Sequence, residues 1–205
     1  AFDSLPEPKI EPSNIASATF LAVSSELRDR TSDLPIMVLD SLGQGLPETQ
    51  STTLVPMNVA VLDVDRVTGR SSLDGGIVDY FGRGGARRRG SSTAEQPKPN
   101  MAFETWGPSG VTQDDDSDVS LLGLASESDW VLHAPLDFDR ALFRNQLAFE
   151  LSNRMGMWAP EIRQVEMYLN RTDGIVSEDD YAGVYVLIEK IKQGSQRVDV
   201  ADITP

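Results

Sequence analysis

DRALFRNQLAFELSNRMG, residues 139–156, is the one segment of this chain with a clear helical repeat. Its apolar residues recur at every fourth position, at Phe143, Leu147, Leu151 and Met155. Residues at this spacing lie on one face of a helix, so the segment predicts an amphipathic helix that packs on a core. Asp139 can accept hydrogen bonds from the first-turn amides, and Gly156 can end the helix in a left-handed conformation.

The rest of the folded region consists of segments with strand character. The predicted strands cover residues 19–23, 35–41, 56–64, 71–73, 100–106, 129–134, 161–170 and 181–191, and another begins at Ile77. Because several strands precede the single helix and two follow it, we predict an α+β fold, in which a mostly antiparallel sheet carries one main helix packed on one face. Residues 1–14 contain three prolines and predict a tail or linker, which leaves residues 15–205 for the domain.

Composition excludes several classes of protein. The chain has 205 residues, of which 40% are apolar, and this is enough for one domain with a sizeable core. A net charge of −14 argues against nucleic acid or an anionic membrane surface as the main partner. The sequence contains no cysteine, so disulfides and thiolate metal sites are excluded. It also lacks the run of ~20 apolar residues that a membrane span requires.

A segment rich in glycine and arginine, residues 82–93, is the first candidate for chemistry. It holds four arginines, four glycines and three hydroxyl side chains. Such a segment can bind phosphate through close backbone approach and guanidinium groups, or it can form an exposed loop whose arginines offset an acidic surface. Residue types alone favour the exposed loop. Lys98 follows this segment, and its ammonium group either reaches a phosphate bound by the loop or is solvated.

Other charged residues have competing interpretations. Glu189 ends an apolar strand, so it lies either at an exposed rim or buried against a cation. Arg144 and Asn145 lie in the first turns of the predicted helix, where an arginine gains nothing from the helix dipole. A functional role can explain an arginine in this position, and a surface salt bridge to Asp137 or Asp139 explains it equally well.

The acidic run 114–118 and the single histidine, His133, give weak support for metal sites. The run has the hard oxygens that calcium prefers but lacks the glycine and distal glutamate of an EF-hand loop, so a solvated loop is the simpler interpretation. His133 has no cysteine with which to share a zinc ion, and no motif supports it as a catalytic base. A hydrolase that uses two carboxylates is the least supported class, because no pair of acids can be placed at a defined separation.

Several short motifs, taken in order along the chain, resemble the CotH kinase family of spore-coat proteins. The motifs are Arg89-Gly90 with Ser92 and Thr93, Pro97-Lys98, Asp139 with Leu142, Arg144 and Asn145, and Gly183-Val184-Tyr185 with Glu189. Each motif is weak alone, and their order makes the resemblance specific. The resemblance extends from about Asp33 to Ile203.

This resemblance implies an atypical protein kinase with a kinase-like fold that uses ATP and magnesium to phosphorylate hydroxyl groups of coat or cell-surface proteins. It implies a bacterial secreted or envelope protein, and it gives Lys98 a catalytic role. The residues that would contact the nucleotide or order its site are Arg89, Ser92, Thr93, Lys98, Arg144, Asn145 and Glu189.

The sequence also departs from the family pattern. Pro99 stands where the family usually has a second lysine, and Met101 stands where it has an aromatic residue. The family's catalytic and metal-holding aspartates lie in a later segment, and nothing like them follows Ile203. We therefore expect an amino-terminal part of such a domain that does not transfer phosphate alone, with its metal ligands outside this chain and a partner segment supplying the catalytic half. The alternative is a non-catalytic structural or binding module of a secreted or cell-surface protein.

Overall fold

The computed structural model describes residues 20–46, 51–91, 93, 95–136 and 139–201, and within them nine strands and one α-helix. The strands are β1 Thr31–Ser32, β2 Ile36–Asp40, β3 Val55–Asp63, β4 Ser71–Ser72, β5 Ile77–Arg88, β6 Met101–Trp106, β7 Asp129–His133, β8 Ile162–Asn170 and β9 Tyr181–Glu189. The helix, α1, is Arg144–Arg154. The predicted tail at residues 1–14 lies outside the described part of the chain. Of the strand predicted at 19–23, the described residues form one isolated bridge, between Val23 and Val176.

Seven of the strands close into a barrel in the order β2-β3-β5-β6-β7-β9-β8. Neighbouring strands are antiparallel except at the closure, where β2 runs parallel to β8 and Ile36 lies opposite Glu166. The other two strands, β1 and β4, pair with each other in a short antiparallel ribbon. The barrel is therefore the main body of the described structure.

Alternation along each strand sends one set of side chains into the barrel and the other set outside. On β9, Tyr185 and Leu187 belong to the interior core, while Val186 and Ile188 belong to an outer cluster. The interior is filled by large apolar side chains that include Met37, Met57, Phe103, Trp130 and Met167. A second outer cluster, on β2, β3 and β8, is built on Ile36, Val38, Ala60 and Tyr168.

The predicted architecture, an α+β sheet with one main helix packed on one face as in a kinase small lobe, is wrong. The sheet closes on itself, so its inner face is covered by its own side chains and not by a helix. Alternation reports which side chains share a face, and it is the same in an open sheet and in a barrel. Closure depends on the pairing of β2 with β8, which are far apart in the sequence, and no local pattern reveals it.

Helix α1 contacts the barrel differently from the prediction. None of its residues, all of which the structure describes, is buried, and Phe149 is the helical residue that packs against the outer cluster of β7, β8 and β9. The residues of the predicted stripe are about half exposed or more: Phe143 49%, Leu147 50%, Leu151 50% and Met155 66%. The end of the helix agrees with the prediction, because Gly156 has a φ of +78° in the left-handed region.

The prediction of an exposed loop for the segment rich in glycine and arginine is also wrong, because most of this segment lies in strand β5. Strand β5 continues through Arg88, and it pairs with β3 over Ile77–Ala86 and with β6 over Arg83–Arg88. Gly85 is required there by a neighbouring ring, because a Cβ atom at this position would lie 2.3 Å from Cζ2 of Trp106. The glycines that suggested a loop therefore permit close packing inside a sheet.

Candidate functional site

Lys98 lies at the end of the barrel where β5 and β7 finish and β6 and β9 begin, which we call the Lys98 end. Its Nζ atom donates a hydrogen bond to the carbonyl oxygen of Val184 at 2.5 Å and lies 4.8 Å from the centre of the Tyr185 ring. Burial lowers the pKa of the Lys98 ammonium group. Val184 uses one of three ammonium protons, so others remain for a ligand.

The motif Gly183-Val184-Tyr185 has a structural meaning in this arrangement. All three residues adjoin Lys98: a Cβ atom on Gly183 would lie 3.5 Å from the Lys98 Nζ, Val184 accepts its hydrogen bond, and Tyr185 lies beneath its charge. The phenol of Tyr185 in turn donates to the carbonyl oxygen of Pro99 at 3.2 Å. Two hydrogen bonds, from Lys98 to Val184 and from Tyr185 to Pro99, thus link the segment before β6 to β9.

The Lys98 end collects positive charge in a chain whose net charge is −14. Burial raises the pKa of the Tyr185 phenol, while Arg171 and Arg88 lower it by their charge. Both guanidinium groups must therefore lie within electrostatic range of the ring that also carries Lys98. Three cations act on this end of the barrel, beside one carboxylate, Asp139, which lines the pocket next to Lys98. The excess of positive charge favours an anionic ligand.

A small pocket of about 60 Å³ adjoins Lys98. Its lining residues are Thr93, Gln96, Lys98, Asn100, His133, Ala134, Pro135, Leu136 and Asp139. The pocket has room for one small polar group, such as a phosphate, and not for a whole nucleotide. Of the residues predicted to bind the nucleotide, Thr93 and Lys98 meet here, and Ser92 lies outside the described residues.

Arg89 lies in a different place. It is exposed and lines a separate pocket with Glu104, Asp114 and Asp129, none of which lines the Lys98 pocket. Its backbone amide donates to the carbonyl oxygen of Asn100 at 2.8 Å, which fixes the main chain between β5 and β6. The structure therefore does not bring the Arg89 and Lys98 side chains to one pocket.

Glu189 lies at the opposite end of the barrel, which we call the Glu189 end. It is five residues beyond Val184 on β9, which corresponds to roughly 16 Å of strand. Its carboxylate accepts hydrogen bonds from Nη1 of Arg197 at 2.8 Å and from the amide of Glu161 at 3.0 Å, and it is buried. The sequence offered two placements for this acid, and the structure has the one buried against a cation.

Arg144 and Asn145 open helix α1 and are exposed. The amide of Arg144 donates to Oδ2 of Asp139 at 2.9 Å, so Asp139 does bind a first-turn amide, although Phe143 is the residue in the N-cap position. The Nε atom of Arg144 lies 3.7 Å from Oδ1 of the same carboxylate. Of the two surface partners predicted for Arg144, Asp137 lies outside the described residues.

Sequence reasoning did not place four polar residues in the Lys98 pocket, namely Gln96, Asn100, His133 and Asp139. The Oδ1 atom of Asn100 accepts from the amide of Ala134 at 2.7 Å and bonds to Nδ1 of His133 at 3.0 Å. Asp139 is buried, and its Oδ1 atom has no hydrogen-bond partner. Asp139 carried a sequence signal as a helix cap and as a motif residue, and His133 was considered only as a metal ligand or catalytic base. Asn100 and His133 lie beside Lys98 because β6 and β7 pair.

The structure contains no group of three or more His, Cys, Asp or Glu residues that could hold a metal ion, as far as its described residues extend. In the acidic run, Asp115 accepts the amides of Val111 and Thr112, both at 2.9 Å, and Asp116 accepts the hydroxyl of Ser128 at 3.0 Å. These carboxylates hold turns together. No described helix is both long and apolar enough to cross a membrane.

A comparison of the sequence with family models gave a match over part of this barrel. The model described as CotH kinase protein matches residues 86–204, which is more than half of the chain. The chain therefore belongs to the CotH kinase family. The match begins within β5 and includes Lys98, α1 and the Gly183-Val184-Tyr185 motif. Searches of curated proteins and of solved structures gave no significant match.

Proposed function

We propose that this chain is the nucleotide-binding part of a CotH-family atypical protein kinase, in which ATP is the phosphoryl donor and protein hydroxyl groups are the acceptors. The observation that carries the proposal is the position of Lys98, whose ammonium group lies over the Tyr185 ring and beside a pocket of about 60 Å³. Lys98 lies over this ring, and Arg88 and Arg171 act on it electrostatically. A polyphosphate is a ligand class that ammonium and guanidinium groups bind.

In this proposal Lys98 and Thr93 hold a phosphate group of ATP at the small pocket. The ammonium group of Lys98 would donate to phosphate oxygens while it keeps its bond to Val184, and the Thr93 hydroxyl would donate from the same pocket. The adenosine would lie on the surface outside, because the pocket of about 60 Å³ takes only a single group. ATP supplies the phosphoryl group, and Lys98 orients it and offsets its charge.

Magnesium is not assigned to residues of this chain. The part that the structure describes has no carboxylate cluster at the Lys98 end that could hold the ion. We propose that the metal ligands belong to a further segment or to a partner that completes the catalytic half. Arg89, Arg144, Asn145 and Glu189 have no phosphate contact in this proposal, because none of them lines the Lys98 pocket.

The proposal also includes the acceptor of the phosphoryl group and the cellular location of the protein. The family membership favours a protein of the cell surface or coat as the phosphorylated substrate, and a bacterial secreted or envelope location. The net charge of −14 disfavours nucleic acid as a partner.

ATP titration with and without magnesium tests the nucleotide site. A ligand that binds only the native state must stabilise it, by ~2.7 kcal/mol at a hundred times its dissociation constant. Replacing Lys98 with methionine keeps the apolar length of the side chain and removes its charge. We expect Lys98→Met to weaken ATP binding about ten- to hundredfold, the size of a lost hydrogen bond between charged groups. Calorimetry measures the affinity, and thermal unfolding measures the stabilisation.

Two variants serve as matched controls for this experiment. Lys190→Met removes a lysine that pairs with Asp129 at the Glu189 end, and Arg89→Ala removes the arginine that lines the other pocket. Both should leave ATP affinity within about twofold, because neither side chain reaches the Lys98 pocket. A native chain whose unfolding temperature does not change at millimolar ATP would contradict the proposal. If Arg89→Ala lost as much ATP affinity as Lys98→Met, this would contradict the placement of the site at the Lys98 pocket.

A second candidate is a non-catalytic binding module with the same fold. The observation in its favour is the exposed apolar stripe of α1, since contiguous exposed apolar residues mark interaction surfaces in many proteins. ATP binding that is lost in Lys98→Met would favour the kinase proposal over this candidate.

A further inference from the structure

His133 is one of the residues of the Lys98 pocket that the proposed function leaves without a role. Its ring contacts Asn100 through Nδ1, and it lines the same pocket as Lys98 and Asp139. His133 is the only histidine of the chain. An imidazole beside a phosphate site can change its charge near neutral pH, which no other unperturbed side chain does.

Asn100 determines which ring nitrogen carries hydrogen in the neutral histidine. The amide of Ala134 donates to Oδ1 of Asn100 at 2.7 Å, and this bond orients the Asn100 side chain. The same oxygen lies 3.0 Å from Nδ1 of His133. Because an amide oxygen only accepts hydrogen bonds, Nδ1 must be the donor. A second proton therefore enters and leaves at Nε2, which has no hydrogen-bond partner among the described residues.

The groups around His133 oppose one another in their effect on its charge. Burial lowers the pKa of its imidazole, the carboxylate of Asp139 raises it, and the ammonium of Lys98 lowers it. The neighbouring strand β9 places the uncharged Val186 opposite His133. Among the described residues, the charged groups that act on the ring are Lys98, from the segment before β6, and Asp139, from the segment before α1; β9 adds none opposite the ring. The free ring is therefore neutral at pH 7, and a nearby anion would favour its protonated form.

We propose that His133 is a second phosphate-binding residue beside Lys98, which binds its ligand in the protonated form. Protonation at Nε2 turns that nitrogen from an acceptor into a donor and adds one positive charge next to Lys98. Asp139 lines the same pocket, and its negative charge favours the protonated ring. Its buried Oδ1 atom accepts no hydrogen bond, although Nε of Arg144 lies 3.7 Å from it. This inference rests on the proposed function, because it takes the ligand to be the phosphate of a nucleotide.

The sign of the pH dependence follows from linkage. A bound phosphate raises the pKa of His133, so the complex takes up a proton that the free protein lacks. Affinity should then rise as the pH falls through the pKa of the complex, and it should level off below the pKa of the free protein. A rise of one unit in this pKa corresponds to about a tenfold gain in affinity.

The experiment is an NMR titration of the single histidine, with any histidine tag removed, in the absence and presence of saturating ATP. We expect ATP to raise the pKa of the His133 ring by about one unit. Calorimetry from pH 8 to pH 5.5 gives an independent measurement on the native chain and on His133→Asn. Asparagine keeps a donor for Asn100 but cannot gain a proton, and the protonation of ATP itself affects both proteins equally. The affinity ratio of native chain to variant should therefore rise about tenfold as the pH falls.

The outcomes separate this inference from the proposed function. A His133 pKa that does not change at saturating ATP, while Lys98→Met abolishes ATP binding, would overturn the inference and leave the nucleotide site intact. Absence of ATP binding at every pH would overturn both. If His133→Asn fails to fold, the NMR titration of the native chain still decides between these results.

Discussion

Glu189 and Arg197 form the most deeply buried ion pair of the described residues, with side chains only 4% and 1% exposed. The pair lies at the Glu189 end, and the Arg197 guanidinium also lies 5.6 Å from the Trp130 ring. A buried pair loses much of its Coulomb energy to desolvation, but removing one partner leaves an uncompensated charge. The contact joins the end of β9 to the segment that follows it, so this acid has a structural role in the barrel.

We expect Glu189→Gln to lower the free energy of unfolding by ~3–5 kcal/mol, because Arg197 would remain buried without a counter-charge. Urea denaturation followed by circular dichroism measures the change. Glu150→Gln is the control, since Glu150 pairs with Arg154 on the exposed surface of α1 at the (i, i+4) spacing. That pair should contribute only ~0.3–0.5 kcal/mol. Equal effects of the two substitutions would show that burial does not govern the Glu189 pair.

At the scale of the element, the composition of strand β5 prevented its full length from being predicted. Its glycines and arginines have low strand propensity, and they led to the prediction of a loop. The strand forms because β3 and β6 pair with it on both sides and because the Trp106 ring occupies the space beside Gly85. Tertiary packing therefore overrides local preference here.

Gly85→Ala should destabilise the protein by ~1–3 kcal/mol, since the new methyl group would overlap the Trp106 ring and force a shift in the sheet. Thermal unfolding and tryptophan fluorescence would both report it. Gly107→Ala is the matched control, because a Cβ atom there would meet only the carbonyl oxygen of Asp115, at 3.8 Å. If Gly85→Ala lowered the stability no more than Gly107→Ala does, this would contradict the close packing of β5 on Trp106.

The sequence predicted elements far better than it predicted their arrangement. The strands at residues 36–40, 101–106 and 162–170 agree with their predicted segments, because alternation or a short apolar run is a local property. The Lys98 pocket could be predicted only at Lys98 and Thr93. Asn100 and His133 join it through the pairing of β6 with β7, a long-range contact that a single sequence does not reveal.

At the scale of the whole molecule, helix α1 lies outside a barrel that is already filled. The fourth-residue repeat was a correct indication of a helix, but the face it marks does not meet the core. Only Phe149 packs against the outer cluster of β7, β8 and β9. Amphipathic periodicity identifies an apolar face without identifying what covers it.

This arrangement predicts that stripe and contact residues differ in their effects on stability. Leu147→Gln should change the free energy of unfolding by no more than ~0.5 kcal/mol, as for other surface substitutions. Phe149→Ala should cost clearly more, because it removes the aromatic ring that joins the helix to the outer cluster. Denaturant unfolding of the two variants compares them directly. If Leu147→Gln lowered the free energy of unfolding more than Phe149→Ala does, the apolar stripe of α1 would have to be covered in solution.

Closure of the barrel limits how this domain can meet other polypeptides. Each of its seven strands has a hydrogen-bonded neighbour on either side, but not over its whole length. Ile77–Gly82 of β5 pairs with β3 alone, because β6 pairs with β5 only from Arg83 onward, and the first half of β9 pairs with β8 alone. An extended peptide could therefore add a strand only along short stretches of this kind. Recognition elsewhere on the barrel must use side chains, loop backbone or the surface of α1.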